Sequence, residues 1–163
     1  MNDGEKITYN KVLFADLDGT LITTLSGKEF PEGCYDMKPR LDTFEAIKKY
    51  NPDLVVIISN QGGIEAGFVN PNFFHNKIMW VASIVAEYCG CDCRVEYCPT
   101  LSPKDKRRKP NAGMIFDALS STTYDSHTTF LMIGDRKEDE QCAANAIISY
   151  CNVEDFNDMY NKN

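Results

Sequence analysis

Two carboxylates stand two residues apart at the end of an apolar run, in Asp16-Leu17-Asp18-Gly19-Thr20, where Gly19 permits a sharp turn and both could face one pocket. One member of such a pair can attack an electrophile while the other handles protons. Two more polar clusters follow apolar runs, Ser59-Asn60-Gln61-Gly62-Gly63 and Gly134-Asp135-Arg136-Lys137-Glu138-Asp139. Gathering several carboxylates is costly unless a cation compensates them, and an oxygen-only donor set without a nearby His suits Mg²⁺ better than Zn²⁺. A carboxylate is a weak nucleophile, but attack on phosphorus becomes feasible when a metal and a cation withdraw charge from the phosphoryl oxygens. The candidate cation is Lys109, between Arg108 and Pro110 at the start of a predicted helix, whose N-terminus would itself favour an anion.

The elements that must position these residues alternate. Lys11 to Asp16 reads as a buried strand, and Pro39 to Tyr50 as a helix with Leu41, Phe44 and Ile47 on one face. The continuous run Leu54 to Ile58 fits a strand covered on both faces. Asn70-Pro71 opens a long helix through Phe74, Ile78, Val81, Val85 and Tyr88 that stops at Gly90. A strand at Arg94 to Cys98, a helix at Asn111 to Leu119, a strand at Thr129 to Ile133, a helix at Glu138 to Ala146 and a short strand at Ile147 to Tyr150 follow, with Asn157 to Asn163 expected to fray. Alternation predicts an α/β fold, a three-layer doubly wound parallel sheet, with ligands outside the carboxyl ends of its strands. All three polar clusters end predicted strands, so the fold would bring them together.

At 163 residues, 43% hydrophobic and 25% charged, the chain fits one domain over 1–163, since domains run to about 150 residues. Seventeen Lys and Arg against 24 Asp and Glu leave a net charge of −7, which argues against a surface built to wrap nucleic acid but leaves a local basic site open. No apolar stretch approaches the roughly 18 residues that span a bilayer, and Met1 to Lys6 lacks a signal-peptide pattern, so no membrane partner and a cytoplasmic location are expected. The 7 cysteines then read as reduced thiols.

The four motifs Asp16-x-Asp18-Gly19-Thr20, Ser59, Lys109 and Gly134-Asp135-x-x-x-Asp139, in this order and at strand ends, resemble the haloacid dehalogenase (HAD) superfamily of phosphohydrolases. The resemblance implies a Rossmann-like fold and a Mg²⁺-dependent phosphatase. Asp16 would be the nucleophile that forms an aspartyl-phosphate, and Asp18 the acid that protonates the leaving oxygen and later activates water. Ser59, Asn60 and Lys109 would hold the phosphoryl group. Asp16, the backbone carbonyl of Asp18, and Asp135 would bind the metal. Asp139 would be an outer ligand or orient Lys109, and Arg108 would support the site. The competing class is a non-catalytic phosphate-binding HAD-like domain or a receiver-like domain. Asp18 speaks against it, because only turnover needs an acid two residues after the phosphorylated Asp.

Within the superfamily the chain resembles two groups. Arg108-Lys109-Pro110-Asn111-Ala112-Gly113-Met114 and the run Gly134 to Ala144 are similar to histidinol-phosphate and heptose-bisphosphate phosphatases. Those often carry a zinc loop with Cys-x-His and Cys-x-Cys pairs. Here Cys98-Pro99-Thr100 replaces the first pair and Pro103 to Arg107 holds no cysteine, so the loop reads as lost. Cys89, Cys91 and Cys93 lie before the third strand rather than in that loop, and their every-second-residue spacing on an extended chain would not readily bring all three to one tetrahedral centre.

The run Asp16 to Pro31 is similar to polynucleotide 3′-phosphatases, and this longer match ranks a nucleic acid 3′ end ahead of a sugar phosphate as substrate. The run Lys104 to Lys109 would give such a substrate a basic edge, and Thr23, Thr24, Ser26 and Lys28 are candidate contacts beyond the phosphate. With only about twenty residues between the first strand and its helix, and fewer from Gln61 to Asn70, neither place holds a cap domain, so the fold should be capless and the site open. No Gly-rich loop ending in Gly-Lys-Ser or Gly-Lys-Thr is present, so kinase activity is not expected. The site could still be covered by a partner chain. His75 and His127 sit outside every motif, and the pair Phe73-Phe74 reads as core.

Overall fold

A computed structural model describes residues 6–33 and 35–162. In chain order the elements are β1 (Lys11–Ala15), β2 (Ile22–Thr23), β3 (Lys38–Pro39), α1 (Leu41–Tyr50), β4 (Leu54–Asn60), α2 (Pro71–Cys89), β5 (Asp92–Cys98), α3 (Gly113–Ser120), β6 (Thr129–Gly134), α4 (Lys137–Asn145), β7 (Ser149–Asn152) and α5 (Val153–Asn161). Five strands form one parallel sheet in the order β5-β4-β1-β6-β7. The chain leaves central β1 toward β4 on one side and returns to β6 on the other. That reversal is a switch point, where crossovers diverge and leave a crevice at the carboxyl ends.

Side-chain alternation splits the core into two layers of packing. Leu13, Ala15, Val55, Ile57 and Ile133 meet α1, α2 and α5 through Phe44, Ile47, Ile78, Val81, Val85 and Phe156. Val12, Phe14, Leu54, Val56, Ile58 and Met132 meet α3 and α4 through Met114, Ile115, Ala118, Cys142 and Ala143. Leu54 through Ile58 are all fully buried because both parities of β4 are covered, as their unbroken apolar run required. α2 starts as its sequence indicates: Asn70 Oδ1 accepts from the N–H groups of Asn72 at 2.9 Å and Phe73 at 3.3 Å, and Gly90, at φ 69°, ends it.

Four local expectations change. Pro39 does not open α1 but pairs in β3 with Ile22, because Lys38–Pro39 closes an antiparallel two-strand unit on the loop after β1. α1 therefore starts at Leu41, which is 62% exposed, and buries Thr43, Phe44, Ala46 and Ile47 instead. Residues 157–162 do not fray as a group: Phe156 and Tyr160 stack edge-on against Tyr50, and Asn157 Nδ2 donates to Thr43 Oγ1 at 2.9 Å, docking α5 on α1. The final strand starts at Ser149 rather than Ile147, since Ile147 takes a left-handed turn (φ 58°) after α4. Of the aromatic pair, Phe74 is core and Phe73 is exposed. Residues 1–5 and Asn163 lie outside the described residues, so the reading of the amino terminus falls there too.

Among the described residues, the segment between β1 and α1 contributes only β2 and β3, and residues 61–70 form turns; neither builds a cap domain. Among the described residues no helix is long and apolar enough to cross a membrane.

Candidate active site

Asp16 is the first residue beyond β1, its N–H donating to Ile133 O at 3.1 Å and its carboxylate nearly buried at 6% exposure. Lys109 reaches it across the switch point. Its ammonium donates to Asp16 Oδ1 at 2.8 Å, Asp139 Oδ1 at 2.7 Å and Ile58 O at 3.0 Å. All three N–H donors are engaged, so contact with a phosphoryl oxygen requires one bond to be exchanged. Lys109 sits in a loop ahead of α3, which begins at Gly113, so the expected helix N-terminus does not lie at the lysine itself.

Asp16, Asp135 and Asp139 each offer a carboxylate oxygen, and these lie within 4.8 Å of one another. Two glycines permit this crowding. A Cβ on Gly19, whose φ is +81°, would sit 2.2 Å from Asp135 Oδ2, and one on Gly134 would sit 2.4 Å from Asp139 Oδ2. Asp139 has both oxygens committed: Oδ1 to Lys109, and Oδ2 accepting the Arg136 N–H at 3.1 Å as part of the α4 cap. Of the two roles its motif implied, its bonds describe orientation of Lys109.

The β4 end divides by parity. Ser59 and Gln61, two residues apart, fall on the side of Asp18: Gln61 Nε2 donates to Asp18 Oδ2 and to Ser59 Oγ, each at 2.8 Å. Asn60 faces the other way. Its side chain donates to Lys109 O and accepts from Lys109 N–H, both at 2.9 Å. The amide expected to touch phosphate is instead taken up in clasping the backbone of the lysine. Arg108 donates to Thr100 O at 2.8 Å, so its support goes to the loop that carries Lys109. Arg107 pairs with Glu96 at 2.5 Å and Asp117 at 2.8 Å, which neutralises part of the expected basic edge.

Two contributors carried no assigned role in the sequence. Gln61 was legible from spacing, because residues i and i+2 of an extended chain share a face. Arg40 was not: it holds Gly19 O at 3.0 Å while pairing with Asp42 at 2.7 Å and Glu154 at 2.8 Å, contacts that only folding assembles.

Among the described residues, Cys89, Cys91, Cys93 and Cys98 are not gathered into one tetrahedral centre. Cys93 packs toward the α1/α2 face with Cys89 and Cys91, whereas Cys98 lies in the core on the opposite face of the sheet. Burial pushes the Cys89 thiol up to about 12 and that of Cys91 up to about 11. The segment after Cys98 is tied by hydrogen bonds instead, Thr100 Oγ1 donating to Asp105 at 2.7 Å and Asn111 Nδ2 to Asp105 O at 2.8 Å.

Burial pushes the Asp16 carboxyl up to about 7; Lys109 opposes the shift, and the neighbouring Asp139 and Asp135 reinforce it. Burial also works against the charge of Lys109, but Asp16 and Asp139 outweigh it and raise its pKa. Two of the three converging carboxylates pair with the one ammonium and Asp135 does not, leaving uncompensated negative charge among hard oxygen donors, and a divalent cation of the Mg²⁺ type fits that donor set.

Linkage gives the sign of a stability test. A folded-state carboxyl raised from 3.8 to about 7 contributes stability present below about pH 4 that is lost as pH rises through about 7. In chelator, wild type should therefore lose stability relative to Asp16→Asn across this window, and Mg²⁺ should raise Tm more at pH 8 than at pH 5. Parallel curves for the two proteins would contradict this assignment of charge.

Comparison with known proteins follows the same lines. The family model described as polynucleotide kinase 3 phosphatase matches residues 11–158. A D-glycero-beta-D-manno-heptose-1,7-bisphosphate 7-phosphatase of Haemophilus influenzae is 28% identical, over 80% of this chain and 73% of its own length. A D-glycero-alpha-D-manno-heptose-1,7-bisphosphate 7-phosphatase of Burkholderia mallei is 26% identical, over 84% and 76%. The histidine biosynthesis bifunctional protein HisB of Campylobacter jejuni is 29% identical over 83% of this chain and 39% of its own. In fold, the chain is similar to the D,D-heptose 1,7-bisphosphate phosphatase of B. bronchiseptica solved with magnesium and phosphate: TM-score 0.65, 22% identity, 87% of this chain and 78% of that one. A HAD-like protein of Mesorhizobium loti gives TM-score 0.69 at 23% identity, covering 91% and 74%. Sheet order, strand-end carboxylates and family match agree: the chain belongs to the polynucleotide kinase 3 phosphatase family and is a phosphatase of the HAD superfamily.

Proposed function

We propose that the chain is a Mg²⁺-dependent phosphomonoesterase that works through a phosphoaspartate on Asp16, with a small sugar phosphate of the heptose bisphosphate kind as its substrate. The observation that carries the chemistry is the buried Asp16 carboxylate at the switch point, gripped by Lys109 and followed two residues later by Asp18.

In the first step an Asp16 oxygen bonds to phosphorus while the ester P–O bond breaks, and Asp18 gives its proton to the departing oxygen. In the second, Asp18 accepts a proton from water, the water oxygen bonds to phosphorus, the Asp16–phosphorus bond breaks, and inorganic phosphate leaves. Ser59 and Lys109 hold the non-reacting phosphoryl oxygens, and Asn60 and Asp139 keep Lys109 in place. Mg²⁺, held by the carboxylates of Asp16 and Asp135 and the backbone carbonyl of Asp18, would neutralise charge as the anionic ester meets the anionic nucleophile.

On substrate, the order read from the sequence is reversed. The relatives described above are named for heptose bisphosphate and histidine biosynthesis, and the pairing of Arg107 with Glu96 and Asp117 weakens the basic edge a nucleic acid strand would use. The nucleic acid reading keeps one support, the family match over 11–158. A panel of heptose 1,7-bisphosphate, histidinol phosphate and a 3′-phosphorylated oligonucleotide, each with Mg²⁺, separates them. We expect kcat/KM to be at least about tenfold higher on heptose bisphosphate, a difference of about 1.4 kcal/mol in transition-state binding. Faster release from the oligonucleotide would restore the original ranking.

A further inference from the structure

The mechanism above asks Asp18 to deliver a proton, yet an aspartate in a turn has two rotatable bonds and two equivalent oxygens. Gln61 removes that freedom. Its Nε2 bridges Asp18 Oδ2 and Ser59 Oγ at 2.8 Å each. Its own backbone is anchored, the N–H donating to Cys98 O at 2.8 Å on the neighbouring strand and the carbonyl accepting from Ile64 N at 3.1 Å. The carbonyl oxygen of a protonated carboxyl is a better acceptor than its hydroxyl oxygen, so a donor held on Oδ2 favours the tautomer with the acidic proton on Oδ1.

We propose that Gln61 is a positioning residue: it holds Asp18 by Oδ2, leaves Oδ1 as the oxygen that serves the leaving group, and ties this orientation to the phosphoryl-holding Ser59. The proposal rests on the reading of Asp18 as the general acid. Its consequence is selective. A leaving group that departs unaided as an anion needs no proton, whereas a basic one does, so loss of Gln61 should hurt in proportion to the basicity of the leaving oxygen.

The test uses substituted phenyl phosphates running from p-nitrophenyl to unsubstituted phenyl, with kcat/KM as the readout because it reports phosphoryl transfer rather than the later hydrolysis. For Gln61→Leu, the loss should stay under about threefold with p-nitrophenyl phosphate and reach about thirtyfold with phenyl phosphate, within the range of general acid catalysis. Asp18→Asn, measured alongside, should show the same ranking with larger losses. If Asp18→Asn loses equally on every ester, the general-acid reading itself fails. If Asp18→Asn discriminates while Gln61→Leu loses equally throughout or not at all, the positioning role is overturned and the acid stands. Equal loss counts against the role only for a variant whose circular dichroism and Tm match wild type, because a folding defect would lower all esters alike. Should Gln61→Leu not fold, Gln61→Glu, which turns a carboxylate toward Asp18, must reproduce the selective loss.

Discussion

Asp16→Asn should retain no more than about one part in 10³ of wild-type turnover, because the covalent step disappears with its nucleophile. The amide is nearly the same size as the carboxylate and can still accept from Lys109 at the Oδ1 position, so the substitution changes chemistry more than shape. It also removes one of three converging carboxylates, which relieves charge crowding at neutral pH. The protein should therefore fold at least as well as wild type in chelator while losing catalysis. Acid-quenched wild type should carry a hydroxylamine-sensitive phosphoryl group, and Asp16→Asn should carry none. Turnover above about one part in a hundred would remove Asp16 from the nucleophile's role.

Lys109→Met is the second large effect, and it acts on stability and activity together. Lys109 is 5% exposed and its ammonium holds two carboxylates, so its removal leaves Asp16 and Asp139 buried without a counter-charge. Breaking a buried pair on one side costs about 3–5 kcal/mol, and losing a charged donor to the phosphoryl oxygens costs about 10²–10³-fold in turnover. Urea unfolding in chelator should show the stability loss, and it should shrink at pH 5, where a carboxyl raised to about 7 can take a proton instead. Adding Asp139→Asn should recover part of the stability and none of the activity. A loss below about 1 kcal/mol, or turnover within tenfold of wild type, would place the lysine outside the site.

Much of this arrangement was legible in the chain because its signals are local. The apolar runs at 11–15 and 54–58, the Asn70-Pro71 start and the Gly90 stop each state their own conformation in a few neighbouring residues. The three polar clusters could be assigned to one crevice because parallel crossovers leave few alternatives. What resisted reading was set by distant partners. Pro39 looked like a helix start until β2 claimed it, and the Asn-rich stretch from 157 looked like a tail until Tyr50 and Thr43 received it. Asn60 looked like a phosphate contact and Arg108 like a supporting residue because they flank residues of the site, but strand parity turns Asn60 toward the backbone of Lys109 and the loop geometry turns Arg108 toward Thr100.

The amino-acid order alone determined which groups are available and in what cadence: an aspartate pair at a strand exit, a hydroxyl, a lysine and a second acidic cluster, on alternating elements that call for a parallel sheet. Tertiary structure decided how they share charge. Only when β1, β4 and β6 lie side by side do three carboxylates converge with one ammonium between two of them, so that the pKa of Asp16 rises toward 7 and a divalent cation becomes the natural complement. The physical reason is that electrostatic energy depends on separation and burial, and both arise between residues that the chain keeps far apart.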